Sequence, residues 1–524
     1  MFKKKIKNIV DTNLFIFIFC SILGVIFFIK LFGMRILDFT YTNWLLAGYL
    51  SGAYSDLPGH YLGWELYRNS PWYFPVGLMD NIVYPFKETV AYTGSISLFA
   101  FPFKLLSPIL PNNFQYFGLF GILAYALQGG VSGLVVKKIT NSFLISAIGS
   151  LFFILSTTMI ERMYFHTLLA AHFIILLCIY VCVTKKENTA VKYNILIWSG
   201  LLVIIAMIDF YQLLMVLFFM FFYMLYDLLE QKKPVRTLIS LIIPSVILFS
   251  VMFSIGIFHS KAALGGFSIA GANLNVFFNP LWMNSQFLPS LPIGKQQESF
   301  AYMGFGMILC VIFAIVTILV KHKKFKIILS DKRFFRKTIL TVLLVIAFLV
   351  FALSPTISFN DKVLFVYPVP DFIISLWAIF RDTGKFVWPV VYIIMFFAIW
   401  IVAKEYKHKI AIPILLCFLI IQIYDLHKSF TDRANAMVVH TKWESSLKSS
   451  AWNELAKTKK HIFYLQKWIV PRLRDVYFFT RYAIDNDMTL NDFYIARGIN
   501  MQVSEYKQEE LARIYRCQAR DDTI

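Results

Sequence analysis

Long apolar runs alternate along this chain with short basic connections and a few long, aromatic-rich ones. A bilayer core takes roughly 20 consecutive apolar residues of helix, so each run of that length predicts one crossing. The first covers residues 14–32. Others centre near residues 125, 151, 174, 201, 220, 247, 311, 346, 394 and 417, about eleven in all. Lys3, Lys4, Lys5 and Lys7 precede the first run, as they would in a signal peptide. A signal peptide has a shorter apolar region closed by small residues. Gly33-Met34-Arg35 is no such cleavage site, so a retained helix is predicted.

The basic residues set the direction of threading. From a cytoplasmic N-terminus, Lys137-Lys138, Lys185-Lys186, Lys232-Lys233 with Arg236, the stretch 321–337, and Lys404, Lys407 and Lys409 all fall on one side. That side carries roughly 23 Lys and Arg in short connections, against about 10 in the longer connections opposite, the asymmetry expected of positive-inside sorting. An odd number of crossings places the tail from Asp425 outside. The outer connections cover about 34–113, 258–300 and 354–385. Connections beyond ~15 residues are usually functional, so the working face is predicted to be external.

Composition supports this reading. Apolar residues make up 58% and charged residues 15%, where a soluble domain carries ~25% charged residues. A soluble, disordered, collagenous or disulfide-scaffold chain is excluded. The net charge of +20 would suggest nucleic acid for a soluble protein; here it is largely topological, and no nucleic-acid partner is expected. Cys20, Cys178, Cys182, Cys310 and Cys417 lie in apolar runs, where a thiol behaves as a small hydrophobe. Cys178 and Cys182 are four apart but have no further ligands, so no metal site is assigned to them. Cys517 stands alone in the tail. The chain shows no internal repeat, Walker loop, dinucleotide fingerprint or HExxH.

Most aromatics of the first outer connection, such as Tyr61, Trp72 and Tyr73, read as an interfacial belt, and residues 93–106 as a short segment lying on the membrane. The acids stand out. Asp38 follows the first run, and Asp56 opens Asp56-Leu57-Pro58-Gly59-His60. A carboxylate hemmed by aromatics beside a membrane is a candidate general base, since partial desolvation raises its pKa. Asp56 is the first choice and Asp38 the second. In the third connection, Arg381 and Lys385 are four apart in Phe380-Arg381-Asp382-Thr383-Gly384-Lys385. A helix there would put both cations on one face, next to the positive end of the following helix, where they would suit the phosphate of a membrane lipid. Anchoring cations belong on the cytoplasmic side, which makes this outer pair notable. Glu161, Arg162 and Asp209 fall at outer turns that need no functional role. His166 and His172 are assigned to the fourth run as histidines hydrogen-bonded between helices.

A base and a phosphate clamp together describe glycosyl transfer from a lipid-linked sugar. The pattern resembles the GT-C superfamily of membrane glycosyltransferases, and more closely a bacterial, GT-C-like membrane family of unknown function. The carrying segments are residues 56–68, Pro71-Trp72, residues 114–118, Gly265-Gly266-Phe267, Asn273 with Asn275, residues 298–304 and residues 380–389. The resemblance marks His60, Trp64, Arg68, Glu298 and Tyr302 as substrate-binding candidates and leaves a divalent metal open, with Glu298 as a metal ligand or sugar contact. Gly94 and Gly271 depart from it, standing where the family tends to carry an acid.

The predicted protein is thus an all-α polytopic membrane domain, residues 1–424, followed by a small extracytoplasmic α/β module, residues 425–524. In the module an amphipathic helix is expected over 443–455, a short strand over 461–465 and a second helix over 473–482. The resemblance implies that relatives continue further and that this chain is shortened. The function expected is transfer of a sugar from a polyprenyl-phosphate donor to a glycan, lipid-linked glycan or protein acceptor at the outer face of a bacterial cell membrane. The rivals are a lipid-linked glycan flippase, a polysaccharide polymerase and a non-catalytic envelope-assembly protein.

Overall fold

The computed structural model describes residues 12–47, 56–186, 189–259, 271–294, 296–324, 330–438, 443–465, 473–493, 495 and 501–524. The N-terminal lysines and Gly265-Gly266-Phe267 lie outside these residues. The fold is mostly helical. Helix α1 (Asn13–Phe32) leads into a long connection holding α2 (Leu57–Asn69), the antiparallel hairpin of β1 (Leu78–Val83) and β2 (Phe86–Thr89), and α3 (Ser97–Leu105). The apolar bundle continues with α4 (Phe117–Thr140), α5 (Phe143–Ile154), α6 (Thr157–Phe165), α7 (Phe173–Thr184), α8 (Val191–Ala206), α9 (Phe210–Gln231) and α10 (Pro234–Ser254). It closes with α11 (Phe305–Val320), α12 (Lys332–Leu353), the hairpin of β3 (Thr356–Phe359) and β4 (Lys362–Val366), α13 (Asp371–Trp377), α14 (Trp388–Glu405) and α15 (His408–Val438).

Among the described residues, eight helical segments are long and apolar enough to cross a membrane, nine if the bent pair α5–α6 counts as one span. The pair bends by 42° at the break between Ile154 and Thr157. Two further apolar helices, α8 and α11, are shorter. All eleven sequence-predicted centres therefore fall on helices; α5 and α7 reach span length only together with α6 and the turn Thr167–Ala170, and α8 and α11 fall short of it. Burial separates centre from periphery: 72% of the α14 segment is enclosed by protein, against 17% of α10 and of α12. The uncovered faces of those two helices carry Val246, Phe249, Val342 and Val350, side chains suited to lipid contact. At the centre, Tyr392 of α14 ties three segments together, meeting Ser156 at 3.0 Å, Gln128 at 3.2 Å and His172 Nδ1 at 2.6 Å.

The two ends of the bundle differ in charge. At one end the basic connections pair internally: Lys185 with Asp227 at 2.7 Å, Lys324 with Glu405 at 2.9 Å and Arg336 with Glu230 at 2.5 Å. The long connections gather at the other end. There the hydroxyl of Thr89 donates to the carbonyl of Ile255 at 2.6 Å, and the N–H of Val76 to that of Ser254 at 2.8 Å, fastening the first connection to the end of α10.

After α15 come α16 (Ala451–Thr458), β5 (His461–Ile462), α17 (Leu473–Asp485), β6 (Thr489–Leu490) and α18 (Met501–Tyr515), with β5 and β6 paired in parallel. The expected helix over 443–455 is displaced: residues 443–450 are irregular and the helix starts at Ala451. Ser445 and Ser449 bend the preceding chain by accepting the N–H groups two residues on. The boundary drawn at 424 falls inside α15, whose Asp425 is buried and accepts from Tyr302 Oη at 2.6 Å and the Phe305 N–H at 2.9 Å.

Candidate functional site

Asp56 occupies the N-cap position of α2, yet its carboxylate does not cap the helix. It meets His166 instead, Oδ2 to Nδ1 at 2.9 Å, and its N–H donates to the carbonyl of Phe165 at 3.3 Å. His166 is not inside a membrane helix. It follows α6, where the chain leaves the helix before the short turn Thr167–Ala170. One turn along α2 from Asp56 stands His60, and donor atoms of Asp56, His60 and His166 all lie within 4.8 Å of one another. His60 is buried; burial first, offset by the Asp56 charge and reinforced by His166, pushes its pKa down to about 4, so the ring is neutral at neutral pH. The ring fits because residue 94 has no side chain: a Cβ at Gly94 would lie 2.5 Å from His60 Nε2.

A second cluster adjoins the first. Arg162, one turn before His166 on α6, clamps Glu298 by two bonds, Nη1 to the carboxylate at 2.9 Å and Nη2 to the backbone carbonyl at 2.9 Å. Lys385 reaches the same carboxylate at 3.5 Å and Asp382 at 3.1 Å, and Arg381 approaches Asp382 at 3.4 Å. Tyr211 of α9 closes the group, its hydroxyl 3.2 Å from Asp382 and its ring 4.3 Å from the Lys385 ammonium. Burial opposes ionisation of Glu298, but Arg162 and Lys385, with His166 adding to them, hold its carboxyl well below the usual range. Asp382 is likewise held low against burial by Lys385 and Arg381. Three cations and two carboxylates leave this cluster one positive charge in excess. His166 joins the clusters, paired with Asp56 and electrostatically felt by Glu298.

The expected common helical face for Arg381 and Lys385 does not form. Lys385 sits in the tight turn Thr383–Val387 with its side chain buried, whereas Arg381 precedes that turn and is half exposed. The two cations converge through Asp382. Among the other candidates, Asp38 is exposed and accepts from the Thr40 N–H and hydroxyl, both at 2.8 Å, in a local turn. Trp64 is buried and donates its indole N–H to the Phe114 carbonyl at 3.0 Å. Arg68 straps the connection by donating to the carbonyls of Ser107, Leu110, Pro111 and Asn112 at 2.6–3.1 Å. Tyr302 turns to Asp425. Glu298 serves as the partner of two cations, and among the described residues the three-residue group that could hold a metal lies at Asp56. At Gly271 a Cβ would lie 2.5 Å from Ser354 Oγ.

His166, Arg162 and the C-terminal module are the parts of the site that the sequence reading passed over. Arg162 and His166 are four apart, a spacing that could have flagged a shared helical face. From α17, Arg481 approaches buried Glu65 of α2 at 3.6 Å. Tyr477, on the same helix, is buried; burial and then the Asp56 charge push its hydroxyl pKa up.

Residues 21–427 match the family described as Domain of unknown function (DUF6311), and residues 451–524 match the DUF6311 C-terminal domain. No curated protein matches the chain.

Proposed function

Starting from the fact that the chain belongs to the DUF6311 family, we propose that it is a GT-C-type membrane glycosyltransferase that takes a sugar from a polyprenyl-phosphate carrier. In this reading α8 and α11 also cross the membrane, making eleven spans. The basic end of the bundle faces the cytoplasm and the end bearing Asp56 faces outward, by the positive-inside tendency. A bacterial cell membrane and an envelope glycan, lipid-linked glycan or protein acceptor complete the proposal.

The observation that carries it is the junction at His166 of a carboxylate with a cluster of excess positive charge. An acceptor hydroxyl oxygen attacks the anomeric carbon of the donor sugar and passes its proton to Asp56. The bond from that carbon to the phosphate oxygen breaks, and the phosphate leaves with the electron pair. Arg381, whose side chain is half exposed, meets that phosphate. Lys385 and Arg162 exchange part of their contact with Asp382 and Glu298 for it. Stabilising charge where it develops is the largest contribution such a site makes.

The test is reconstitution with a panel of polyprenyl-phosphate sugars, following donor consumption. Wild type should cleave at least one donor. Asp56→Asn should lower turnover by about 10²–10⁴-fold, the range of a general base, and Arg381→Ala should raise the donor concentration needed. The bend between α5 and α6 gives a flippase its one point of support, since broken helices line transport sites. Movement of intact lipid across the bilayer without cleavage would replace the transfer reading with that one.

A further inference from the structure

Asp56 and His60 are four apart at the start of one helix, so both side chains project from the same face of α2. His166 approaches that face from a different part of the chain, and its ring centroid is 6.3 Å from that of His60. Donor atoms of all three lie within 4.8 Å of one another. Asp56 Oδ2 and His166 Nδ1 are 2.9 Å apart. Two ligands bound at about 2.1 Å to a tetrahedral ion are separated by about 3.4 Å, so this pair opens by about 0.5 Å to share one. With all three ligand atoms within 4.8 Å of one another, closing His60 onto a tetrahedral ion takes a movement of at most about 1.5 Å.

An unused donor atom independently points to a ligand. His60 is 4% exposed, and its Nδ1 has no hydrogen-bond partner among the described residues. A buried nitrogen without a partner is costly and calls for an explanation. The other edge of the ring, with Nε2, faces Gly94, which turns Nδ1 away from that wall. An imidazole nitrogen left without a partner inside the fold is available to a metal ion.

We propose that Asp56, His60 and His166 form a binding site for a divalent transition-metal ion, with Zn2+ the best match to two imidazoles and one carboxylate. Three protein ligands leave a coordination position open for water or a substrate hydroxyl. Mg2+ and Ca2+, which take mainly oxygen ligands, fit poorly. The site stands on the geometry and does not depend on sugar transfer. The transfer reading matters only for the ion's role: it would hold the acceptor hydroxyl and lower its pKa, while the second Asp56 oxygen receives the proton.

The test uses the full chain in detergent, free of any affinity tag, stripped with a chelator and then titrated. Zn2+ should bind at one per chain, and Co2+ should give visible d–d absorption that Zn2+ abolishes and Mg2+ does not. His60→Ala and His166→Ala should each weaken Zn2+ binding by more than about 100-fold, beyond what loss of an outer-shell partner usually does. Each apo variant's melting temperature serves as the folding control. Should a variant fail to fold, wild type still decides: Zn2+ should protect His166, which is partly exposed, from modification by diethyl pyrocarbonate. No stoichiometric Zn2+ binding, unchanged affinity in the folded variants, or unprotected His166 overturns the site. Metal binding and donor cleavage are measured separately, so either can fail without the other.

Discussion

At the scale of single residues, Gly94 and His60 show how closely the site depends on one missing side chain. Gly94 has φ +75°, a conformation in which a β-carbon is strained, and its missing Cβ is the space that the His60 ring edge fills. Gly33 separates the two effects: its φ is +78° but no described residue's atom lies within 4 Å of its would-be Cβ. Gly33→Ala should therefore cost only the backbone term, about 1–3 kcal/mol at φ 78° and ψ 165°, a region nearly reserved for glycine. Gly94→Ala adds displacement of a buried ring to its own backbone term and should cost about 1–3 kcal/mol more in thermal unfolding, with loss of donor cleavage. Equal losses in the two variants would mean that His60 does not rest on Gly94. The sequence made Asp56 legible, because an acid among aromatics next to an apolar run is conspicuous. His166 was not legible, since its neighbours in sequence are apolar and only the break after α6 turns its ring toward Asp56.

At the scale of elements, the contact between α2 and α17 joins the membrane bundle to the C-terminal module and includes a titratable group outside the spans. Burial pushes the Glu65 carboxyl up to about 7, against the opposing pull of Arg481 and Arg68; Tyr61 also faces it. The folded chain therefore holds a proton there that the unfolded chain releases near its ordinary 4.5. Stability from this group is fully present below about 4.5 and is lost as pH rises through about 7. Glu65→Gln should thus melt close to wild type at about pH 5 and above it at about pH 8, by a few kcal/mol at most. A variant that instead melts lower at the higher pH would show that the ion pair with Arg481 outweighs the burial of its carboxylate. Elements were legible in the sequence where their pattern is long: α1, α4 and α15 follow from apolar runs. The turn at Thr383–Val387 was not, because a few residues with Gly384 and two charges read equally well as the start of an α-helix. The displaced α16 has the same cause, since the amphipathic spacing over 443–455 says nothing of where two serines bend the chain.

At the scale of the whole molecule, charge and connection length divide the bundle into two unlike ends, and the proposed orientation follows from that division. Lys185, Lys324, Arg336 and their acidic partners lie at one end, while Asp56, Glu298 and Lys385 lie at the other. The family match spans most of the bundle and, separately, the module, which docks on the site end through Arg481 and through the Tyr84 N–H donating to the Leu490 carbonyl at 2.7 Å. Site and module must therefore face the same compartment. A native thiol reports which one: Cys517 is exposed in the module, whereas Cys417 is the other exposed thiol and lies within the apolar helix α15, where lipid would cover it. In intact bacterial spheroplasts, a membrane-impermeant maleimide should label Cys517, and Cys517→Ser should remove that labelling. If the thiol reacts only after the cells are broken open, the module and the site face the cytoplasm. Transfer from an outward-facing carrier would then be untenable, because a donor phosphate presented at the outer leaflet could not reach Arg381 and Lys385 at the opposite end of the bundle.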